Sequence, residues 1–234
     1  MNAPPESDAA HGPRRRYDNS RRAAAARETQ RRIVDAAGVC FGENGFDGTS
    51  VSAIADRADT SPETIYATFG TKVALLQAWI DQAITGDDEQ VALRDREIVT
   101  SMFARDDIGE LLQEFARIGR EINERVAVPI QVIRAAAWSN PELAALLAEN
   151  EQRRQDDFVD AIERLNLRTP LPDGLRVDRA AQLAAALCSA DLYRLLVLES
   201  AWTAEEYETQ LARLIASTLG LAPTDSSASR RRDD

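Results

Sequence analysis

The polar side chains best placed to do chemistry concentrate in one short stretch, TSPETIYATFGTK, residues 60–72. Ser61, Thr64, Tyr66 and Thr68 bring hydroxyls, Glu63 a carboxylate and Lys72 an ammonium. These are hydrogen-bonding groups with no base beside them. His11, the one histidine of the chain, lies in an arginine-rich N-terminal stretch. A Ser-His-Asp or Cys-His arrangement inside the fold is therefore excluded. No P-loop, G-x-G-x-x-G or H-E-x-x-H occurs. Glu205, Glu206 and Glu208 fall on one helix and read as a solvated face. The two cysteines, Cys40 and Cys188, are far apart and form no metal-type cluster. The chemistry on offer is recognition, so the chain reads as not an enzyme, with no cofactor and no metal.

These groups need an element to hold them out. Ser61 suits an N-cap, Pro62 the first helical position and Glu63 the positive end of the helix dipole. Gly70 stops the helix after about two and a half turns. Upstream, Ile33, Val34, Ala37 and Phe41 recur at helical spacing in a helix expected over 21–44, ended by Gly45. Thr49 is expected to cap a second helix, with Val51, Ile54, Ala55 and Ala58 on one face. ADTS (58–61) connects it to the helix Pro62–Phe69. Two short helices joined by a tight turn are a helix-turn-helix. Its second helix needs no core of its own. Ile65 and Phe69 pin one face, and the other is left free to enter a DNA major groove. Lys72 opens a longer helix with Leu75, Leu76, Trp79, Ile80, Ala83 and Ile84 facing inward.

The periodicity continues without any strand pattern. Helices are expected over 89–104, 108–123, 126–138, 141–166, 178–200 and 204–219, with RTPLPDG (168–174) as a loop. The fold class is all-α. Residues 1–20 read as a disordered arginine-rich arm, 21–70 as the helix-turn-helix domain, 71–221 as a helical body and 222–234 as a solvated tail. The chain is 44% hydrophobic and 29% charged, enough to bury a core. No apolar run is read as reaching membrane-span length, and no apolar leader is seen, so a cytoplasmic protein that makes no membrane contact is expected.

The net charge of −11 argues against nucleic acid only as an average. Residues 1–32 hold eight arginines against four acids, residues 1–79 balance, and residues 80–234 carry the whole excess. A basic arm on an acidic body points to an anionic partner at the N-terminal end alone.

The segment ENGFDGTSVSAIADRADTSPETIYATFGTKVALLQAW, from Glu43 to Trp79, resembles the DNA-binding domain of the TetR family of bacterial transcriptional regulators. Gly45-Phe46, Thr49, Val51, Ile54-Ala55, Ala58, Ser61, Thr64-Ile65-Tyr66, Phe69, Lys72 and Leu75-Leu76 carry the resemblance. The family often has glycine in the turn where this chain has Asp59, which is expected to take a left-handed conformation. The resemblance implies double-stranded DNA as partner. It implies phosphate contacts from Thr49, Tyr66 and Lys72, and Ser61, Pro62, Glu63, Thr64, Ala67 and Thr68 at or near the groove. Residues 61–69 hold no lysine or arginine. The arm with Arg14, Arg15, Arg16, Arg21 and Arg22 is therefore expected to supply the missing positive charge.

The rest of the chain matches the family in length and pattern. That match implies a C-terminal helical bundle for effector binding and dimerisation. Helices 178–200 and 204–219 would pair two copies through Leu183, Leu187, Leu192, Leu195, Leu196, Leu198, Leu211, Leu214 and Ile215. Two copies would read a palindrome with half-sites about 34–36 Å apart or a multiple of that. The middle helices would enclose a pocket for an unknown small molecule. Candidates for its wall are Trp79, Met102, Phe103, Phe115, Ile118, Ile122, Val132, Trp138, Phe158 and Tyr193, with Asn123, Gln131 and Arg134 for polarity. A ligand there could tilt helix 72–84 and respace the half-sites. The expected function is a regulator, as a repressor released from a palindromic operator by its effector. A DNA-binding regulator without a small ligand, and a helical interaction module, are the alternatives.

Overall fold

The computed structural model of the protein describes residues 13–86 and 92–221, with side chains from Ala24 onward in the first stretch. Every regular element among them is helical. α1 (Pro13–Gly48) passes the expected stop. Gly45 takes φ 69° and ψ 179°, kinks the chain, and a last turn follows. The backbone of α1 is helical from Pro13, ahead of the boundary at residue 21 drawn from composition. The Arg14, Arg15, Arg16, Arg21 and Arg22 side chains, and residues 222–234, lie outside the described part.

α2 (Val51–Arg57) is capped by Ser50, not Thr49: the Ser50 hydroxyl accepts from the Ala53 N–H at 3.1 Å. Asp59 takes φ 49° in the turn, the left-handed conformation expected there. α3 (Pro62–Phe69) opens on Ser61 and closes on Gly70 at φ 77°. α4 (Lys72–Thr85) starts at a Thr71 cap and ends at Gly86.

The body departs from the expected boundaries. A single 3-10 turn (Leu93–Asp95) and a short α5 (Glu97–Phe103) stand where a helix over 89–104 was read. Two expected helices, 108–123 and 126–138, are one, α6 (Ile108–Ala137). Nothing near residue 124 breaks it, and the Arg120–Glu124 pair at i, i+4 reaches into the expected gap. Pro129 lies inside α6 and is buried there. α7 spans Pro141–Arg168. The expected helix 178–200 is split into α8 (Val177–Leu187), a Cys188–Ser189 break, α9 (Ala190–Tyr193) and a wider π-helical turn over Arg194–Glu199. α10 (Ala204–Thr218) carries a full capping box from Thr203 and Glu206. The stretch Val177–Glu199 does reach membrane-span length and hydropathy, contrary to the sequence reading. Its break at Cys188 and the alanines it buries under α7 mark it as a packed helix pair.

Two cores result. The first joins Ile33, Ala37, Phe41, Val51, Ile54, Ile65, Leu75 and Ile80 to Val132, Ile133, Ala136 and Leu143. The far end of α6 thus docks on α1 and α4, and the three N-terminal helices share a core with the body. The second core gathers Leu111, Leu112, Ala116, Ile162, Ala180, Ala184, Tyr207, Leu211 and Ile215.

Trp79 belongs to the first core and does not line the cavity. Its ring lies 6.0 Å from Phe41 and covers Gly38. A Cβ at residue 38 would stand 2.4 Å from the indole nitrogen, so α1 and α4 touch there because residue 38 has no side chain. Gly38→Ala is expected to cost about 1–3 kcal/mol through overpacking, read as a lowered urea midpoint.

Candidate nucleic-acid interface and interior cavity

α3 is held by few contacts. Ile65, 1% exposed, is its one buried anchor, and Phe69 is half-buried beside it. Ser61, Glu63, Tyr66 and Ala67 are exposed, and Pro62, Thr64 and Thr68 half-buried. Among the described residues, no helix covers this face. The Ser61 hydroxyl lies 3.2 Å from that of Thr64, and the Thr68 hydroxyl donates to the Thr64 carbonyl at 2.7 Å. Each keeps acceptor capacity toward solvent. The Glu63 carboxyl is held below its usual range by its own backbone N–H and then by the Ser61 hydroxyl. Tyr66 is 52% exposed, and no described residue bonds its hydroxyl. The face is short, polar, almost uncharged and accessible, suited to a groove edge.

Thr49 and Lys72 depart from their expected roles. Thr49 is 3% exposed; its hydroxyl donates to the Cys40 carbonyl (2.9 Å) and the Gly45 carbonyl (2.7 Å), and its N–H to Phe46. It staples the kinked end of α1 and offers nothing outward. The Lys72 ammonium donates to the Phe46 and Thr49 carbonyls at 2.9 and 3.0 Å and sits 4.1 Å from the Phe46 ring centroid. It bolts α4 to the end of α1. One of its three donors is left over. Both residues donate to carbonyls at and just past the end of α1, which residue type alone does not reveal. Thr49→Val takes the hydroxyl donor from the Gly45 carbonyl, while the Cys40 carbonyl keeps Asn44, and is expected to lower the unfolding free energy by about 1–3 kcal/mol. A thermal melt followed by circular dichroism would show it.

A cavity of about 1590 Å³ opens between α4, α6 and α7, with the middle of α1 (Arg27, Gln30, Arg31 and Val34) at one end. Phe103, Phe115, Ile118, Ile122 and Phe158 line it as expected, together with Met102, Asn123 and Arg134. Phe115 and Phe158 meet edge to face at 5.9 Å. Trp138 does not belong to it: its side chain is 95% exposed. It stands five residues past Ile133, on the far side of α6 from the core face. Val132 is in the first core, Gln131 is exposed, and Tyr193 packs on Tyr207 at 5.1 Å.

The cavity rim is ionic. Arg134 bridges Asp191 and Glu151, Arg94 stands 3.6 Å from Asp157, and Arg153 3.9 Å from Asp81. Burial pushes the Asp81 and Asp157 carboxyls up, against the pull of those arginines. Gln77 links Asp81 to Asn150, tying α4 to α7. Arg125 from α6 donates to the Ala83 and Ile84 carbonyls at 2.9 and 3.3 Å, capping α4. α4, which runs between the cavity and α3, is therefore held at both ends by long polar side chains. Periodicity misses such ties, because each lies on a helix's polar stripe. Cys188 also faces the cavity; burial pushes its thiol up to about 12, so it is no thiolate at neutral pH.

On α8, the π-helical turn and α10, Leu183, Leu195, Leu198 and Leu214 are exposed. Leu211 and Ile215, expected in a pairing surface, are buried in the chain's own second core instead. Leu214 lies between them in sequence, so α10 carries both buried and exposed leucines.

Residues 33–79 match the family described as bacterial regulatory proteins, tetR family. The UidR transcriptional regulator of Escherichia coli K12 is 32% identical over 134 residues, 57% of this chain. That match spans 64% of the relative's own length. Among solved structures, Salmonella enterica GusR superposes with a TM-score of 0.60 at 23% identity, over 82% of this chain and 96% of that one. FadR of Bacillus subtilis, solved with stearoyl-CoA, superposes with a TM-score of 0.62 at 18% identity, over 82% and 98%. UidR and FadR are named as regulators of transcription, and the fold is shared over most of each chain.

Proposed function

We propose that the chain, whose residues 33–79 match the tetR family of bacterial regulatory proteins, is a cytoplasmic, sequence-specific DNA-binding regulator of that family acting as a homodimer. The uncovered outer face of α3 carries this reading. A helix this short gives the core only Ile65 and the flank of Phe69, and its other face is left bare. Tyr66 reaches a phosphate through its hydroxyl. Ser61, Pro62, Glu63, Thr64, Ala67 and Thr68 meet the major groove, with the methyls of Ala67 and Thr68 against thymine. Counterion release from the face itself is small, so Arg14, Arg15, Arg16, Arg21 and Arg22 supply phosphate contacts. In this reading residues 71–221 serve pairing and effector binding, and the protein is a repressor released by a small molecule. The cavity's volume and its mixed apolar and ionic wall support that last step, and so does the bound acyl-CoA of the FadR neighbour.

A mobility shift on the duplexes flanking its own gene tests the proposal. One of them is expected to be retained against excess unrelated DNA. Equal weak retention of every duplex would overturn it. Deleting residues 1–20 is expected to weaken that complex and flatten its salt dependence, and an unchanged slope would remove the arm from the account.

A further inference from the structure

Asn123 is the one buried polar side chain among the described residues besides Thr49, and it lines the cavity at 4% exposure. Its neighbours on the same face of α6 are Ile118, Ile122, Val126 and Ile130. Its amide nitrogen donates to the Cys188 carbonyl at 3.1 Å and to the Tyr207 hydroxyl at 3.3 Å. A carbonyl only accepts, so the Cys188 bond fixes which end of the amide is nitrogen. Both N–H groups are then used. No described residue donates to Oδ1. No fully enclosed side-chain oxygen in the described structure lacks a partner, so Oδ1 opens onto the cavity. Arg154 on α7, which also lines the cavity, donates to the Ala185 carbonyl and lies over the Phe158 ring.

We infer that the cavity selects an effector with an aromatic or alicyclic body and a hydrogen-bond-donating hydroxyl or N–H, the donor going to Asn123 Oδ1. This rests on the cavity being the effector site. The body fills the end built by Phe103, Phe115 and Phe158, and the donor then falls beside Asn123, further along α6. A plain hydrocarbon chain in the same place strips water from Oδ1 and returns nothing. Sites with a buried polar group reject ligands that leave it unpaired. Because the same amide holds the carbonyl at the α8 break and the α10 hydroxyl, occupancy is felt at the helices that expose the leucines.

The test uses 4-phenylphenol and its methyl ether, which differ in donor capacity and little in shape, titrated calorimetrically into the full chain. The phenol is expected to bind about tenfold tighter or more. Asn123→Leu brings the ratio near one, whereas Tyr207→Phe, which leaves Oδ1 untouched, preserves it. The wild-type ratio decides the matter even where Asn123→Leu fails to fold. Equal binding of both compounds overturns the donor requirement and leaves the effector site standing. Saturable binding of neither overturns both.

Discussion

Leu183→Glu combined with Leu214→Glu is expected to yield a folded monomer that binds a palindromic duplex at least a hundredfold more weakly. Both leucines are exposed, on α8 and α10, which pack side by side. Neither supports the chain's own core, so the melting temperature of the monomer should barely move. In a two-fold interface each carboxylate faces its own copy, or a close neighbour of it, in an apolar setting. Burying such like charges costs several kcal/mol, more than a standard interface has to spare. The loss on DNA follows from geometry. One α3 reads a few base pairs, and the second half-site gains its affinity from being tethered, an advantage of about 10²–10⁴. Sedimentation velocity and anisotropy titration on one preparation would show both effects. Dimers that persist would place the pairing surface elsewhere.

The second large effect separates two residues that the family pattern treats alike. Tyr66→Ala is expected to reduce DNA affinity about tenfold or more with no loss of stability, because the ring is half exposed and its hydroxyl is unbonded within the described chain. Lys72→Ala is expected to reduce both. Its ammonium satisfies two carbonyls at the end of α1, and bonds to a charged group are worth about 1.5–3 kcal/mol. With the Thr49 carbonyl freed and the Phe46 carbonyl left to the Thr49 N–H alone, the kink at Gly45 and the Ser50 cap lose their tie to α4, and α3 is expected to shift with them. The check is a urea melt beside a DNA titration for each variant. A stable Lys72→Ala protein with lost binding would restore the simple phosphate role.

The helix-turn-helix was legible because its punctuation is local. Ser61-Pro62, Gly70 and the 3.6-residue recurrence of Val51, Ile54, Ala55 and Ala58 each act within one or two turns. Asp59 was legible for the same reason: the turn demands a left-handed residue and aspartate is one of few that comply. What stayed hidden is long-range. Thr49 and Ser50 both suit a cap, and only the folded end of α1 decides that Thr49 turns inward. Trp79 and Trp138 look alike in a list of aromatics. One meets a glycine across a helix pair and the other faces water. The split at Cys188 depends on Asn123, sixty-five residues away, taking the carbonyl. Phe103, Phe115, Ile118, Ile122 and Phe158 share apolar stripes on α5, α6 and α7, where periodicity alone points inward.

The central claim is that the outer face of α3 enters the duplex, and a tethered cleavage experiment tests it most directly. Both native cysteines are buried, so Ala67→Cys gives one accessible thiol for an iron-EDTA label. The account predicts strand cleavage at two sites on the operator, about one helical turn or a whole multiple of it apart, facing the major groove. The same label at the exposed Leu167 should leave the duplex intact. Cleavage from residue 167 and none from residue 67 would contradict the account.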